Sequence, residues 1–377
     1  MDTTKRVEKL REIMADKGID LSVITNFENQ FYFSGLKAIT YSRPIVLAVN
    51  DNSLSLIVPS LEETHAKTVT KADKLYVYHE TFMEDGNGGS HIEYLKSLIS
   101  SYPQGTKVGV EFSSLPLQLG NIMRDAGLEL VNLDAEIAKM RYIKDQDEID
   151  LITESGRLVS LALKTSLENA RAGITEIELD QFGNHALFTE VAQQHPDSTL
   201  DFFVMSPSGL KRSILPHVFS NTRKLEQNDI VIHSRQVGLN GYRAECERTF
   251  FVGEPTEKQK DYFKIASEAQ LAALDVIKAG VTAKEVNEVA RQIFKKADVE
   301  QYSIHRTGHG IGIGLHEEPS LRYDNDLILQ EGMVYCVEPG LYVPGIGGFR
   351  HSDTVVLTKK GSQLITHHPK ELEALTL

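Results

Sequence analysis

The feature of this sequence that most constrains its fold is a helix-junction pattern that occurs twice in the second half of the chain. One helical pattern ends at Ala172-Gly173 and is followed by Ile174–Glu178, and another ends at Ala279-Gly280 and is followed by Val281–Glu285. In each case glycine can end a helix, and threonine can cap the next helix together with a glutamate at the capping-box position. This repetition predicts two similar halves that face each other.

The first 135 residues show a different organisation. A helical stripe over residues 3–17 is followed by three short apolar runs separated by turn residues, and helix and strand patterns then alternate up to Asn132. Such alternation is typical of a small α/β domain. We therefore predict an α/β (α+β) protein with a small N-terminal α/β domain over residues 1–135 and a larger C-terminal domain over residues 136–377.

Composition limits the class of protein and its partners. Of 377 residues, 41% are hydrophobic and 25% are charged, which is typical of a globular protein. The net charge of −13 argues against nucleic acid or an anionic membrane as a partner. Cys246 and Cys336 lie in apolar strand patterns, as expected for thiols in a reducing compartment. Because we find neither a signal-peptide core nor an apolar run of about 20 residues, we expect a cytoplasmic protein.

Three polar segments are candidates for a functional site: Asn240–Phe250, Thr307–Pro319 and Glu331–Asp353. In the first segment, the alternation of side chains along a strand directs Glu245 and Glu247 to the same face. Two carboxylates on one face repel each other, so a solvated surface strand is one interpretation. The apolar residues that follow, and the two similar segments downstream, favour a site assembled from distant strands.

Together these motifs carry a family resemblance. In chain order they are G-Y-x-x-x-x-x-R-T-F, G-H-G-I-G, H-E-x-P, G-M-x-x-x-x-E-P-G and G-x-R-x-x-D. This set resembles the M24 or pita-bread family, which includes Xaa-Pro aminopeptidases, prolidases, methionine aminopeptidases and creatinase. The motifs cover most of residues 141–377. The resemblance implies a pita-bread C-terminal domain with an internal pseudo-twofold repeat and a site between its halves.

The resemblance also implies where a metal would bind. Peptidases of this family hold two metal ions through two Asp, one His and two Glu residues. On this chain the His corresponds to His309 and one Glu to Glu338, whereas the other three positions are Ser234, Glu245 and Ser352. Serine hydroxyls are poor substitutes for bridging carboxylates in a site whose ligands converge at about 2.0–2.2 Å. We therefore expect no metal cofactor, with a single weak ion on Glu245, His309 and Glu338 as the open alternative.

The departures resemble creatinase, a metal-free member of the family. Creatinase has Glu-Arg-Thr where this chain has Glu247–Thr249, and a His followed six residues later by Arg where this chain has His217 and Arg223. The resemblance implies that His217 is a general base, and that Glu247, Glu338 and His309 are further catalytic residues. Histidine suits proton transfer because its unperturbed pKa is about 6.5.

Candidate substrate-binding residues also follow from this resemblance. A Phe-Gly-Arg of creatinase, which reaches into the neighbouring subunit's site, corresponds to Tyr41-Ser42-Arg43. The resemblance therefore implies a homodimer and a small substrate whose carboxylate is held by Tyr41 and Arg43. A creatinase His corresponds to Ser352, and the neighbouring His351 is expected on the opposite face of the strand. The remaining candidates for substrate contact are His316, Glu245 and Arg350.

Ordinary structural roles are the alternative for several of these residues. His217 follows a proline, as many loop histidines do. Glu247 and Glu338 lie among apolar neighbours, where an unpaired carboxylate costs several kcal/mol. They could form a structural salt bridge to Arg248 or Arg350, or a socket for a cationic group such as a guanidinium, whose fork matches carboxylates. We favour the socket.

Three functions remain open from sequence alone. The main prediction is a creatinase-like, metal-independent hydrolase of an amidine or amide C–N bond in a small carboxylate-bearing substrate. The second is an Xaa-Pro dipeptidase or aminopeptidase with an altered metal site. The third is a catalytically inactive binding protein. Because one fold supports many functions, the fold does not decide among them.

Overall fold

The structure is a computed structural model that describes residues 2–39, 42–81 and 89–377. The chain divides into two compact units, Met1–Met140 and Arg141–Leu377. The domain boundary proposed from sequence, between residues 135 and 136, lies at the start of a helix that spans Asp134–Tyr142. Both units combine helices with sheets, and the predicted α/β (α+β) class is confirmed.

The N-terminal unit is built on a six-stranded sheet with the order β4-β3-β2-β1-β5-β6. Strands β1, β2 and β3 pair antiparallel, and the other neighbours pair parallel. Apolar residues from the strands and two of the helices form its core. In chain order the elements are α1 Thr4–Lys17, β1 Leu21–Ile24, α2 Phe27–Ser34, β2 Val46–Val49, β3 Leu54–Pro59, α3 Glu63–Val69, β4 Lys74–Tyr78, α4 His91–Ile99, β5 Lys107–Val110, α5 Leu117–Asp125, β6 Glu129–Asn132 and α6 Asp134–Tyr142.

The C-terminal unit contains an eight-stranded sheet and a separate hairpin, β13-β14. The order of the main sheet is β11-β10-β12-β15-β9-β8-β7, and β16 also pairs with β15. The elements are α7 Gln146–Glu168, α8 Glu176–Gln194, β7 Leu200–Met205, α9 Gly209–Arg212, β8 Asp229–Leu239, β9 Tyr242–Val252, α10 Glu257–Val276, α11 Ala283–Lys296, β10 Gly308–Gly310, β11 Glu317–Leu321, β12 Val334–Val337, β13 Gly340–Val343, β14 Gly347–Arg350, β15 Ser352–Thr358 and β16 Gly361–Leu364.

The two predicted helix junctions have the same structure. The N–H of Gly173 donates to the carbonyl of Leu225 at 2.8 Å, and the N–H of Gly280 donates to the carbonyl of Leu329 at 2.9 Å. Both glycines have positive φ, 93° and 95°, which side chains disfavour. Helices α7 and α10 end earlier than predicted, at Glu168 and Val276, because these glycines bind a neighbouring segment and do not cap the helix.

Matching capping boxes begin the second helix of each half. The Thr175 hydroxyl accepts from the N–H of Glu178, the Thr282 hydroxyl accepts from the N–H of Glu285, and both distances are 3.1 Å. Each glutamate in turn accepts from the backbone N–H of its threonine, at 2.7 and 2.6 Å. We call residues 145–252 the first half and residues 256–358 the second half. The predicted internal repeat is confirmed.

The halves join at the centre of the main sheet. Strand β9 of the first half pairs antiparallel with β15 of the second half, through Glu247 opposite Ser352 and Cys246 opposite Asp353. The Cys246 thiol lies 4.0 Å from a carboxylate oxygen of Asp353. Within the described part of the chain, no helix combines the length and apolarity that crossing a membrane requires.

Candidate active site

Two cavities of the C-terminal unit share part of their walls. The inner cavity, about 330 Å³, lies over β7, β8 and β9. The outer cavity, about 750 Å³, extends toward α11 and the segment before β10. Because four of the side chains predicted from sequence line both cavities, we treat the two as one candidate site; these residues are His217, His316, Glu338 and Arg350.

Glu245 is a buried carboxylate on β9 with both oxygens hydrogen-bonded. The hydroxyl of Ser352 donates to one oxygen, and the side-chain amide of Gln236 donates to the other, each at 2.6 Å. Burial raises the pKa of Glu245, and the nearby charge of Glu338 adds to that effect. The sequence predicted a substrate contact for Glu245; the structure instead directs its carboxylate to two side chains of the same unit.

Glu338 and His309 form the ionic centre of the site. His309 lies on β10, donates from Nδ1 to the carbonyl of Gly310 at 2.9 Å, and directs Nε2 toward Glu338, 3.4 Å from Oε1. That Nε2 is buried and has no hydrogen-bond partner among the residues described. Burial works to lower the pKa of His309, but Glu338 outweighs burial and raises it. His309 likewise holds the pKa of Glu338 well below its usual range, against the effect of burial.

Glu247 belongs to a buried chain of hydrogen bonds. Arg350 donates from Nε to Glu247, and from Nη1 to the Tyr342 hydroxyl at 2.9 Å. The Tyr342 hydroxyl donates in turn to Nε2 of His305 at 2.8 Å, and His305 donates from Nδ1 to the carbonyl of Arg306 at 2.7 Å. Burial lowers the pKa of His305, which agrees with a neutral ring that accepts a hydrogen bond from the tyrosine hydroxyl.

This chain of bonds corrects the predicted cation socket. The sequence predicted that Glu247 binds a cationic group of the substrate, but Arg350 of the same unit already occupies that carboxylate. The reason is a strand contact that sequence spacing does not reveal. Arg350 and Thr249 are hydrogen-bonded through the threonine hydroxyl, at 2.8 and 3.1 Å, which holds the end of β14 beside β9. The structural alternative, a salt bridge to Arg350, is the arrangement observed.

His217 and His316 lie close together on the shared wall, and His316 also packs against His309. The ring centroid of His316 lies 4.0 Å from that of His309 and 6.4 Å from that of His217. Burial, with the charge of His309, lowers the pKa of His316 to about 4, and burial also lowers the pKa of His217. Arg223, whose spacing from His217 supported the prediction, instead ion-pairs with Asp229 at 2.6 Å.

Sequence reasoning missed His305 and Gln236. His305 lies four residues before His309, next to a recognised motif, and that position was the available signal. Gln236 is opposite Glu245 in the pairing of β8 with β9, and only the register reveals that contact. Both residues hold side chains of the site in place. Gln236 binds Glu245 directly, and His305 binds Tyr342, which in turn binds Arg350.

The other predicted residues have different positions. Ser352 contacts Glu245, whereas His351 is buried with its ring 4.8 Å from that of Phe263. Arg43 belongs to the N-terminal unit and ion-pairs with Glu80 at 2.8 Å. Tyr41 lies outside the described residues. A role for Tyr41 and Arg43 in a neighbouring subunit's site stays a prediction.

The remaining donors fit one divalent ion better than two. His309 has the tautomer of a metal ligand, with Nδ1–H bound to a carbonyl and a buried Nε2 unpartnered among the described residues. Ligand atoms of Glu245, His309 and His316 lie within 4.8 Å of one another, as do those of Glu245, Glu247 and Glu338. Glu247 is neutralised by Arg350, so a pair of ions, which needs bridging carboxylates, does not fit this set.

Comparison with known proteins identifies the family. Residues 150–359 match the metallopeptidase family M24, and residues 6–143 match the creatinase/prolidase N-terminal domain. A protein named Xaa-Pro dipeptidase from Pyrococcus horikoshii is 31% identical over 370 residues, with 98% of each chain covered. A protein from Bacillus subtilis named putative dipeptidase is also 31% identical, over 97% of this chain and 99% of that protein.

Solved structures agree with these matches. A prolidase from Thermococcus sibiricus is similar with a TM-score of 0.88 and 27% identity over 99% of each chain. The prolidase from Pyrococcus horikoshii has a TM-score of 0.84 and 30% identity over 98% of this chain and all of its own. The prediction of a creatinase-like, metal-independent function is therefore wrong: it depended on a few site positions, whereas these full-length similarities are to Xaa-Pro dipeptidases. The chain belongs to metallopeptidase family M24.

Proposed function

We propose that the C-terminal unit hydrolyses the amide bond of short peptides, with dipeptides of the Xaa-Pro type as its substrates. The observation that carries this proposal is that Glu338, which lines both cavities, lies 3.4 Å from Nε2 of His309, and that Glu245 has a ligand atom within 4.8 Å of each of these residues. The names of the similar proteins support the choice of substrate. The cavity volumes, about 330 and 750 Å³, suit a ligand of dipeptide size.

A single divalent ion fits this proposal. His309, Glu338 and Glu245 would hold it, because Nε2 of His309 makes no hydrogen bond to any described residue and lies 3.4 Å from Glu338, and the two glutamates offer oxygens. When bound, such an ion polarises a carbonyl and lowers the pKa of a bound water. When no ion is bound, Glu338 and His309 are both charged, because their pKa shifts favour a carboxylate beside an imidazolium.

Proton transfer falls to His217 and His316. Both have a pKa below the ordinary value, so both rings are neutral near pH 7 and able to accept a proton. Amide hydrolysis requires a group that takes a proton from the attacking water and returns one to the leaving nitrogen. His217 is the better base of the two, because a pKa of about 4 makes His316 a weak proton acceptor. His316 is better suited to hydrogen-bond the substrate while it remains neutral.

We also propose that the working form is a homodimer. The support for this is the correspondence of Ser42-Arg43 to a creatinase segment that crosses a subunit interface. Light scattering of the purified chain tests it. A mass of about 84 kDa is expected, twice the 42.1 kDa of one chain, and a mass of one chain at working concentration would contradict it.

The test of the proposed activity is proline release from Xaa-Pro dipeptides. The purified chain is assayed with Mn²⁺, with Co²⁺ and with a chelator, beside Glu338→Gln and the matched surface variant Glu331→Gln. We expect Glu338→Gln to release proline at least about 10²-fold more slowly than wild type. Glu331 is solvent-exposed and outside both cavities, so its variant should match wild type. No proline release by wild-type protein under any of these conditions would overturn the proposal.

A further inference from the structure

The cations that line the outer cavity differ in whether a carboxylate neutralises them. Arg291 donates to Glu300 at 2.9 Å, and Arg322 donates to Asp324 at 2.6 Å. Lys295 lies 3.8 Å from a carboxylate oxygen of Glu288, and Arg350 is bound to Glu247. Each of these charges therefore has its counter-ion within the unit.

Arg306 is the exception. Over residues 2–39, 42–81 and 89–377, no carboxylate oxygen lies within ion-pair distance of its guanidinium. Its one hydrogen-bonded side-chain neighbour is the ring of His316, 3.3 Å from Nη2. Arg306 is half-buried between His305 and Thr307, and its charge contributes to the lowered pKa of both His217 and His316. A positive charge without a counter-ion therefore faces the cavity beside the catalytic histidines.

A second donor on the same wall also lacks a partner. Asn287, on α11, accepts from the Thr307 hydroxyl at 3.0 Å through its side-chain oxygen. Its amide nitrogen is buried and makes no hydrogen bond to any residue that the structure describes. Asn287 and Arg306 both line the outer cavity. An unsatisfied buried donor destabilises the fold, so a ligand that accepts a hydrogen bond from it is favoured.

We propose that Arg306, assisted by Asn287, binds the terminal carboxylate of the substrate. A guanidinium fork matches a carboxylate in shape and charge, and the amide nitrogen supplies a further donor. Arg350 is not available for this task, because Glu247 already neutralises it. The inference rests on the proposed dipeptidase function and assigns the residues that set its selectivity: a peptide that ends in a free carboxylate near the scissile bond should bind more tightly than the corresponding amide.

The experiment compares leucyl-proline with leucyl-prolinamide, which lacks the carboxylate. We expect Arg306→Gln to raise KM for leucyl-proline by about 10- to 100-fold with little change in kcat, since a hydrogen-bonded charge is lost. It should leave KM for leucyl-prolinamide unchanged. Arg306→Lys, which keeps the charge and loses the fork, should be intermediate, and Asn287→Ala should raise KM by about 2- to 10-fold.

The matched control is Arg322→Gln, which removes a guanidinium of the same cavity that has its own carboxylate. It should behave like wild type with both peptides. Equal effects of Arg306→Gln and Arg322→Gln, or equal KM of wild type for acid and amide, would overturn the proposal. Melting temperatures confirm that both variants fold.

Binding measurements separate this inference from the proposed activity. If wild type does not hydrolyse either peptide, calorimetric titration with leucyl-proline, leucyl-prolinamide and free proline still tests Arg306. Tighter binding of the acid than of the amide, lost in Arg306→Gln, supports the carboxylate site even without catalysis. Binding of free proline as tight as that of leucyl-proline would assign the site to small carboxylates in general and overturn its link to dipeptides.

Discussion

The two halves of the C-terminal unit share their scaffold and differ in the side chains that they present to the cavity. Both use a glycine of positive φ and a threonine capping box at the same junction. Of the five metal-binding positions that the family resemblance implies, the second half keeps His309 and Glu338 and has Ser352 in place of a Glu, whereas the first half has Ser234 and Glu245 in place of two Asp. Backbone geometry is therefore kept through duplication, while the chemistry changes at single positions.

A second contrast lies within the first half. Arg235 donates to Nε2 of His233 at 2.8 Å, His233 donates from Nδ1 to the Ser206 hydroxyl at 2.7 Å, and that hydroxyl donates to Asp180 at 2.5 Å. This buried network satisfies all of its members. Beside the cavity, by contrast, Nε2 of His309 makes no hydrogen bond to any residue that the structure describes. Satisfied networks stabilise the fold, and unsatisfied donors and acceptors are where a ligand gains affinity.

The largest effect should come from comparing the catalytic activity of one variant from each half. We expect Glu338→Gln to reduce kcat/KM for an Xaa-Pro dipeptide by about 10²- to 10⁴-fold, because it removes a carboxylate of the proposed ion site. Ser234→Ala, at a first-half position without charge, should stay within about threefold of wild type. Steady-state kinetics check both values. Equal losses in the two variants would contradict the division of roles between the halves.

The second largest effect should come from the ion pair of Glu247 and Arg350, which joins the two halves at the site. Glu247→Gln removes the nearer of two carboxylates from buried Arg350 and leaves it with Glu338 at 3.8 Å, so we expect a loss of about 3 kcal/mol in the free energy of unfolding. The exposed pair of Arg322 and Asp324 is the comparison, and Arg322→Gln should cost far less, because solvent screens an exposed ion pair. Urea denaturation measures both. A cost for Glu247→Gln no larger than that for Arg322→Gln would show that Arg350 finds another partner.

A pH dependence should follow from Glu317 in the second half. Burial works to raise its pKa, but Lys144 and Arg141 lower the pKa to about 2. Because the folded pKa is depressed below the ordinary value near 4.5, this carboxylate stabilises the fold at higher pH, and the stabilisation is lost as pH falls from about 4.5 toward 2. The full contribution is on the order of 3 kcal/mol. Glu317→Gln should flatten acid denaturation in this window, and an unchanged pH profile would contradict the assignment.

The smallest effects should come from the repeated caps. Thr175→Ala and Thr282→Ala each remove one side-chain cap, so each should cost about 1 kcal/mol of stability. Since the hydrogen bonds match in length, the two costs should agree within about 0.5 kcal/mol. Thermal denaturation of the two variants and wild type provides the comparison. A clear difference would show that the halves are alike in geometry and unequal in energy.

The sequence predicts the parts of this molecule that depend on local rules. Capping boxes at Thr175 and Thr282 and the shared face of Glu245 and Glu247 follow from helix and strand geometry. The pairing of Glu247 with Arg350 does not, because it depends on where the hairpin β13-β14 brings Arg350 against β9. The partner of a buried charge is set by tertiary packing.

The function was mispredicted for a related reason. Glu247 and the spacing of His217 from Arg223 resembled one family member, but Glu247 is held by Arg350 and Arg223 by Asp229. Both residues thus have structural partners that the motif alone did not reveal. Similarity over the whole chain carries more weight than a few positions whose roles depend on their partners.

The most direct test of the account is the number of divalent ions that one chain binds. After equilibrium dialysis against Mn²⁺, elemental analysis should find no more than one equivalent per chain, because Ser234 and Ser352 supply no carboxylate and Glu247 is neutralised by Arg350. The double variant Ser234→Asp, Ser352→Glu restores two carboxylates and should bind a second ion. Two equivalents on the wild-type chain would contradict the account.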